Sequence, residues 1–302
     1  MIMMTITGIE NLKKQMMQNN SLPKIAFFGT PNIAVWVLEE LEKKGIVPSL
    51  VITNPDTPQG RKLILTETPV ALWATGRNIP VHKPVTLRDD TVITLLRESG
   101  CELFIVAAYG KIIPESILDI PTYKTLNVHP SLLPKLRGAS PIRSAILHNV
   151  FPTGVSIMIL TKGVDEGPIL AQEGEEIALT EWPIQGSILD ERLARHGGVL
   201  LAQTIPQWVA GEIVPQEQDH SEATFSEKIT KEMGLIDLSD NPETNLRKIR
   251  AFDGWPGTYF FHTDADGSNV RIKIIDAEIN DSKLNILRII PEGKKEMDYK
   301  DF

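Results

Sequence analysis

The sequence predicts an α/β protein, with a Rossmann-like, mainly parallel sheet in the first two thirds of the chain and a smaller β-rich domain after it. Short apolar runs at residues 24–28, 46–53, 103–107 and 126–128 alternate with segments that carry a helical apolar stripe. Strands that are apolar on both faces are typical of a parallel sheet covered by helices on both sides. The 302 residues, 42% of them hydrophobic, suffice for one large or two ordinary domains.

The remaining N-terminal elements are predicted from changes in the apolar periodicity. Gly29-Thr30-Pro31 follows the first strand, and a helical stripe then runs through residues 35–41. Further elements are predicted at residues 70–77, 89–99 and 184–209 (helices) and 153–160 (a strand). The Gly29-Thr30 turn lacks the rest of a G-x-G-x-x-G fingerprint, so the sequence does not support dinucleotide binding.

A polar connection at residues 211–222 marks the predicted domain boundary, because it contains Pro215 and little periodicity. Beyond it, a helix is predicted at residues 242–251 and strands at residues 258–262, 270–277 and 283–290. The predicted organisation is an extension (1–23), a catalytic domain (24–210), a linker (211–222) and a C-terminal domain (223–302). The extension is interpreted as a leader or an upstream start, and not as a targeting signal.

Composition limits the classes of partner. The net charge is −8, and the excess of acidic residues lies after residue 210. Strong nonspecific RNA binding is disfavoured by this bias, although a local basic patch remains compatible with it. Cys101 is the single cysteine, which excludes an intramolecular disulfide and a CxxC zinc site. No apolar run approaches the ~18 residues of a membrane span. The single cysteine fits a reducing cytoplasm, and we expect a cytoplasmic protein. We also expect a monomer and no bound metal.

The candidate site begins at the end of the strand near residue 128. Alternation places Asn127 and His129 on one face of this strand, and Asp165 lies at a glycine-flanked turn after the next strand. An amide can donate to a developing oxyanion, an imidazole can transfer a proton near neutral pH, and a carboxylate can orient or charge that imidazole. These residue types suit the transfer of an acyl group to an amine without a covalent nucleophile.

Ordinary structural roles are the alternative for these residues. Asn127 would cap a turn, His129 would be a satisfied, half-buried histidine, and Asp165 would form an Asx turn. For an isolated N-x-H pattern, this alternative is favoured by about three to one.

Longer motifs reverse that preference. The run N-V-H-P-S-L-L-P-x-x-R-G at residues 127–138, with G-V-D-E-G-P at residues 163–168, resembles the formyltransferases that use 10-formyltetrahydrofolate. Three further stretches resemble the members that formylate methionyl-tRNA: Tyr109-Gly110 after a strand, P-D-x-P-x-G-R at residues 55–61, and R-A-F-x-x-W-P at residues 250–256. The resemblance spans residues 24–302.

The resemblance implies that Asn127, His129 and Asp165 are catalytic. It also implies a pocket for the 10-formyltetrahydrofolate donor, lined by Ser131, Leu132, Leu133 and Pro134. Second-tier candidates for the same pocket follow a strand end: Tyr109, Gly110, Lys111 and Ile113. For these four residues, ordinary packing at the strand end is about as well supported as a ligand contact.

The acceptor is expected to meet the loop at residues 54–69. Such a long loop is normally functional or disordered, and its motif resembles the loop that contacts tRNA in the methionyl-tRNA enzymes. Arg61 and Lys62 lie at its centre and could contact phosphates and bases of the acceptor stem. Fewer lysines follow Arg61 than in the family pattern, which weakens the electrostatic part of the inference.

The C-terminal domain is implied to resemble the OB-like barrel of the family, which normally needs five strands. Only three are predicted with clear patterns, because residues 276–287 pass over a hairpin that the family usually has. We therefore expect a reduced barrel.

The leading hypothesis is formyl transfer from 10-formyltetrahydrofolate to the amino group of initiator methionyl-tRNA in translation initiation. The alternatives are a formyltransferase acting on the amino sugar of a nucleotide sugar, and a folate- or RNA-binding protein without catalysis. The Arg61 loop and the motif at residues 250–256 favour tRNA over the sugar. An intact set of Asn127, His129 and Asp165 argues against a protein without catalysis.

Overall fold

The structure is a computed structural model that describes residues 22–60, 63–264 and 267–302. By packing, the chain divides into two compact units, each built from separated segments. The first unit contains the described residues up to His129 together with residues 156–172 and 194–218. The second unit contains residues 130–155, residues 173–193 and the described residues from 219 to 302. The linear boundary at residues 211–222 stays a prediction, and most of the predicted N-terminal extension lies outside the described residues.

Most of the predicted elements overlap with strands or helices of the described residues. The strands are Ile25–Gly29 (β1), Leu50–Ile52 (β2), Thr57–Gln59 (β3), Ile64–Thr66 (β4), Val81–His82 (β5), Leu103–Ala107 (β6), Thr125–His129 (β7), Arg137–Gly138 (β8), Gly154–Ile159 (β9), Ile169–Gly174 (β10), Phe225–Ser226 (β11), Thr258–Thr263 (β12), Asn269–Asn280 (β13), Lys283–Pro291 (β14) and Met297–Asp298 (β15). The α-helices are Asn32–Lys43 (α1), Pro69–Thr75 (α2), Asp90–Glu98 (α3), Glu115–Leu118 (α4), Pro141–Leu147 (α5), Gly186–Val209 (α6) and Pro242–Ala251 (α7). Short 3-10 helices cover Leu179–Glu181, His220–Glu222, Glu232–Gly234 and Tyr299–Asp301.

A seven-stranded sheet with the order β10-β9-β7-β6-β1-β2-β5 forms the centre of the first unit. β1 pairs in parallel with β2 and β6, β6 with β7, and β2 with β5, whereas β9 runs antiparallel to β7. Every residue of β1 and β6 is buried, as the continuous apolar runs predicted. The mainly parallel, Rossmann-like sheet is therefore confirmed.

Local sequence explains where the helices of this unit begin. The Thr68 hydroxyl accepts a hydrogen bond from the Ala71 amide, and Pro69 occupies the first helical position of α2. The Asp89 carboxylate caps α3 by accepting from the Thr91 amide. These caps satisfy amide groups that the first helical turn leaves without a partner.

Parallel pairing sets the location of the candidate site. β1, β2, β6 and β7 run in the same direction, so their carboxyl ends lie at one edge of the sheet. Ligands of open α/β sheets bind outside this edge. Asn127 and His129 are at the carboxyl end of β7.

The second unit contains the C-terminal antiparallel sheet, with strand order β12-β13-β14-β15. β13 and β14 are joined by Asp281 and Ser282, both with positive φ (47° and 61°), as a two-residue hairpin turn requires. The three predicted strands are confirmed and one short strand, β15, is added. Because the described residues form four strands in an open order, the sheet is smaller than a five-stranded barrel, as expected from the missing hairpin. α7 supplies Ile249 to its core.

Candidate active site

β7 presents the first two candidate residues on one side of the sheet. Asn127 pairs with Met158 and His129 with Ser156 of the antiparallel strand β9. Leu126, before Asn127, and Val128, between Asn127 and His129, are buried in the core. The alternation that predicted a common face for Asn127 and His129 therefore holds in the structure.

Asp165 comes from the turn after β9. Its backbone is in the left-handed region, with φ +47°, where aspartate is several-fold enriched over most residues. Gly167 passes so close to the sheet that a Cβ there would lie 2.0 Å from the Ile159 carbonyl oxygen. Glycine at this position lets the turn approach the sheet and bring the carboxylate towards β7.

The three residues converge. The Asn127 Nδ2 donates to Asp165 Oδ1 over 3.4 Å, and the His129 Nδ1 lies 3.7 Å from Asp165 Oδ2. The second distance is too long for a hydrogen bond, so it is a charge contact that strengthens when the imidazole is protonated. The side chains of His129 and Asp165 are only 4% and 15% exposed. Partial removal from water strengthens electrostatic interactions among them.

Sequence analysis missed Gln218, which holds the Asp165 turn. Its Nε2 donates to the carbonyl oxygens of Asp165 (3.0 Å) and Gly167 (2.7 Å). Gln218 is buried, with 5% of its surface exposed. The sequence assigns this residue to the linker, because residues 211–222 lack periodicity. A buried glutamine in a polar connection gives no local sequence signal of its role.

Thr30 and Asn54 are two more polar residues that the sequence did not single out at the carboxyl edge. The Thr30 hydroxyl and the Asn54 Nδ2 both donate to the Tyr109 carbonyl oxygen, at 3.2 and 3.0 Å. They follow β1 and β2, while Tyr109 follows β6. The backbone of Tyr109 thus joins three strand ends.

The second-tier candidates for the donor pocket occupy different environments. The Tyr109 ring packs edge-on against Phe28, 5.7 Å between centroids, and burial raises the pKa of its hydroxyl to about 12. Ile113 lies in the same core cluster. Burial lowers the pKa of Lys111, whose ammonium donates to the carbonyls of residues 84 and 85 at 2.7 and 2.9 Å. Gly110 is exposed with φ +80°. A direct ligand contact by any of the four stays a prediction.

The predicted donor loop is described within the second unit. Ser131 is buried and its hydroxyl donates to the Lys135 carbonyl oxygen at 2.6 Å, which closes a short turn. Leu133 is 4% exposed, whereas Leu132 and Pro134 are partly exposed. The loop therefore has a fixed local conformation, and its role in donor binding stays a prediction.

The predicted acceptor loop contains a small hairpin, β3 paired antiparallel with β4, in the first unit. Lys83 lies 2.7 Å from carboxylate oxygens of both Asp56 and Glu67, which stand before and after the hairpin. Burial lowers the pKa of Lys83, but the hydrogen bonds that its ammonium donates to these two carboxylates outweigh burial, and the net shift of the pKa is upward. Arg61 and Lys62 lie outside the described residues, so their contact with tRNA stays a prediction.

In residues 22–60, 63–264 and 267–302, no three His, Cys, Asp or Glu side chains are grouped so that they could hold a metal ion. None of the helices in these same ranges combines the length and apolar character needed to cross a membrane.

Family models match both parts of the chain. Residues 23–202 match the model described as formyl transferase, and residues 228–285 match that of the formyl transferase C-terminal domain. The methionyl-tRNA formyltransferase of Chloroflexus aurantiacus is 39% identical over 294 residues, covering 91% of this chain and 94% of that protein. The enzyme of the same name from Thermus thermophilus is 40% identical over 271 residues, covering 89% and 86%.

Solved structures share the fold at lower identity. A methionyl-tRNA formyltransferase from Clostridium thermocellum has a TM-score of 0.56 and 18% identity, covering 92% of this chain and all of that one. A 4-N formyltransferase from Francisella tularensis has a TM-score of 0.63 and 18% identity, covering 85% and 99%. At these identities the structures support the fold alone. The family models and the curated relatives carry the assignment: this chain belongs to the formyl transferase family and, within it, to the methionyl-tRNA formyltransferases.

Proposed function

We propose that this protein transfers a formyl group from 10-formyltetrahydrofolate to the amino group of initiator methionyl-tRNA. The observation that carries the proposal is the convergence of Asn127, His129 and Asp165 at the carboxyl edge of the sheet. An amide donor, an imidazole and a carboxylate within 3.4 to 3.7 Å suit an acyl transfer that proceeds without a covalent enzyme intermediate.

Each of the three residues has one role in this proposal. His129 removes a proton from the amine as the amine nitrogen bonds to the formyl carbon. Asn127 donates a hydrogen bond to the formyl oxygen as that oxygen becomes an oxyanion. Asp165 stabilises the imidazolium that forms. His129 then returns the proton to N10 of the folate as the bond between the formyl carbon and N10 breaks, which releases tetrahydrofolate.

We assign the donor contact to the loop at residues 131–134, and the strand end at residues 109–113 stays a second-tier candidate. Leu132 and Pro134 are partly exposed apolar surface on a loop that the Ser131 hydroxyl closes. In the first unit, Gly110 is exposed after β6, as is Ile112, which is 87% exposed. Partly apolar surface with a few polar groups suits a folate ring. The solved HypX of Aquifex aeolicus, in complex with tetrahydrofolic acid, shares the fold with a TM-score of 0.64 at 15% identity.

The acceptor is assigned from the curated relatives, which are named for methionyl-tRNA. The amino-sugar alternative is less favoured, because the solved structures described as sugar N-formyltransferases are only 17 and 19% identical to this chain. In this proposal Arg61 and Lys62 meet the acceptor stem, and the reaction belongs to translation initiation in the cytoplasm. A monomeric state stays a prediction.

A choice of acceptors tests the proposal. The protein is incubated with 10-formyltetrahydrofolate labelled in the formyl group and with either methionyl initiator tRNA or nucleotide-linked amino sugars. We expect the label on the methionyl amine and not on the sugar. Label on the sugar alone would replace the proposed function with the alternative, and label on neither would exclude both acceptors.

A further inference from the structure

We propose that Gln218 is a positioning residue for Asp165, an inference that rests on the proposed function of that carboxylate. Its amide nitrogen donates to the carbonyl oxygens of Asp165 and Gly167 at 3.0 and 2.7 Å. These two carbonyls lie on either side of Glu166, so one amide group bridges the turn that carries the carboxylate.

The turn has an uncommon backbone conformation that its neighbours must hold. Asp165 has φ +47°, in the left-handed region that only a few per cent of residues other than glycine adopt. The distances from Asp165 to the two other site residues are long, 3.4 Å to Asn127 and 3.7 Å to His129. A small rotation of the turn would therefore break both contacts, and misplacement by about 1 Å can cost 10²-fold in rate.

Gln218 itself is held in place. It is 5% exposed, and two residues earlier the backbone of Gln216 forms a mutual pair of hydrogen bonds with Ile169 at the start of β10. Ile169 follows the Asp165 turn by four residues. The pairing of Gln216 with Ile169 therefore holds the chain just before Gln218 against the chain just after the Asp165 turn. All of these residues belong to the first unit.

The decisive variant is Gln218→Glu, which keeps the shape but replaces a donor by a carboxylate facing two carbonyl oxygens. We expect kcat to fall by about 10- to 100-fold, as for loss of a group that orients a catalytic ligand. KM for the tRNA should stay near the wild-type value, because no acceptor contact is removed. The matched control is Gln216→Glu, the same change on an exposed side chain of the same segment, and it should keep the wild-type kcat.

A double-mutant cycle with Asp165→Asn shows whether Gln218 acts through the carboxylate. If it does, Gln218→Glu should lower kcat little further once Asp165 has lost its charge. Full additivity of the two effects would overturn the inference. A lower Tm with unchanged kcat would also overturn it, since Gln218 would then only stabilise the fold.

A measurement without substrate separates this inference from the proposed function. The ring resonances of His129 in NMR spectra should shift in both Asp165→Asn and Gln218→Glu, and should stay in place in Gln216→Glu. If wild-type protein formylated no tRNA, the proposed function would fail, and the His129 shifts would still test the positioning. If the His129 resonances did not shift in Gln218→Glu, the positioning role of Gln218 would be overturned.

Discussion

Removing the charge of Asp165 while keeping its shape is the sharpest single perturbation of the site. In Asp165→Asn, the side chain keeps its size beside Asn127, 3.4 Å away, but can no longer stabilise a protonated His129 at 3.7 Å. Two unit charges at this separation interact by about 4 kcal/mol at an effective dielectric constant near 20. Since each 1.36 kcal/mol is tenfold in rate, turnover should fall by about 10³-fold.

The assay is single-turnover formyl transfer to methionyl initiator tRNA, with donor affinity measured separately by calorimetric titration of a folate that lacks the formyl group. We expect the rate to collapse and the folate affinity to stay near that of the wild type. Glu166→Gln is the matched control, because it makes the same change one residue away on an exposed side chain. Near-normal transfer by Asp165→Asn, or equal losses in both variants, would refute the reasoning.

Three further changes test other parts of the structure. Leu133→Asp should weaken donor binding and leave tRNA binding intact, because it puts a charge where the apolar folate ring should pack. Titrations with the donor and with tRNA measure the two affinities, and an unchanged donor affinity would mean that Leu133 only packs in the core. Lys83→Gln should raise KM for tRNA with little change in kcat, because Lys83 joins the two ends of the acceptor loop. Lys83→Arg, which keeps the charge, should restore the wild-type KM. An equal KM in the wild type and both variants would exclude this role. The hydrogen bond from Arg77 lowers the pKa of Glu42, so the pair stabilises the fold above the unfolded pKa of about 4.3 and this is lost as pH falls through the folded pKa. Glu42→Gln should therefore lower the free energy of unfolding by only a few tenths of a kcal/mol at pH 7, because both side chains are 36% exposed and the pair is screened by solvent. This loss should shrink as pH falls through the folded pKa of Glu42; a loss that stays the same at low pH in urea titrations would argue against the pair.

The fold could be predicted wherever the apolar pattern was continuous. β6 and α7 have the predicted ends, because one is a run of five buried apolar residues and the other begins with a proline at its first turn. α5 and β10 were missed. α5 has seven residues, fewer than two full helical turns with a clear stripe, and β10 is apolar only at Ile169, Leu170 and Ala171. Short elements of this kind are set by their neighbours in space and not by their own periodicity.

The hairpin of β3 and β4 was missed for a different reason. Pro58 lies within β3, and proline argues against a strand unless the strand lies at an edge. β3 and β4 form a sheet of two strands, in which each strand is an edge. The sequence indicated a loop of unusual length, and the pairing inside it depended on contacts that no local pattern records.

The candidate site shows the same division. Strand alternation predicted that Asn127 and His129 share a face, because residues two positions apart in a strand point to the same side. Asp165 was a third candidate because of its glycine-flanked turn after the next strand, but its distance from the other two depends on the β7–β9 pairing and on a turn with φ +47°, which the sequence does not give. Gln218 could not be predicted, because its bonds go to backbone carbonyls more than 50 residues earlier. Distant hydrogen bonds to backbone atoms leave no spacing to detect.

The most direct test of the account is the single-turnover rate of formyl transfer to methionyl initiator tRNA in Asn127→Ala, compared with the wild type. Loss of one oxyanion donor typically costs ~2.7 to 4 kcal/mol of barrier. The rate should therefore fall by about 10² to 10³-fold while the Kd values for tRNA and folate stay near those of the wild type. Transfer at the wild-type rate by Asn127→Ala would contradict the claim that the convergence of Asn127, His129 and Asp165 is the catalytic centre.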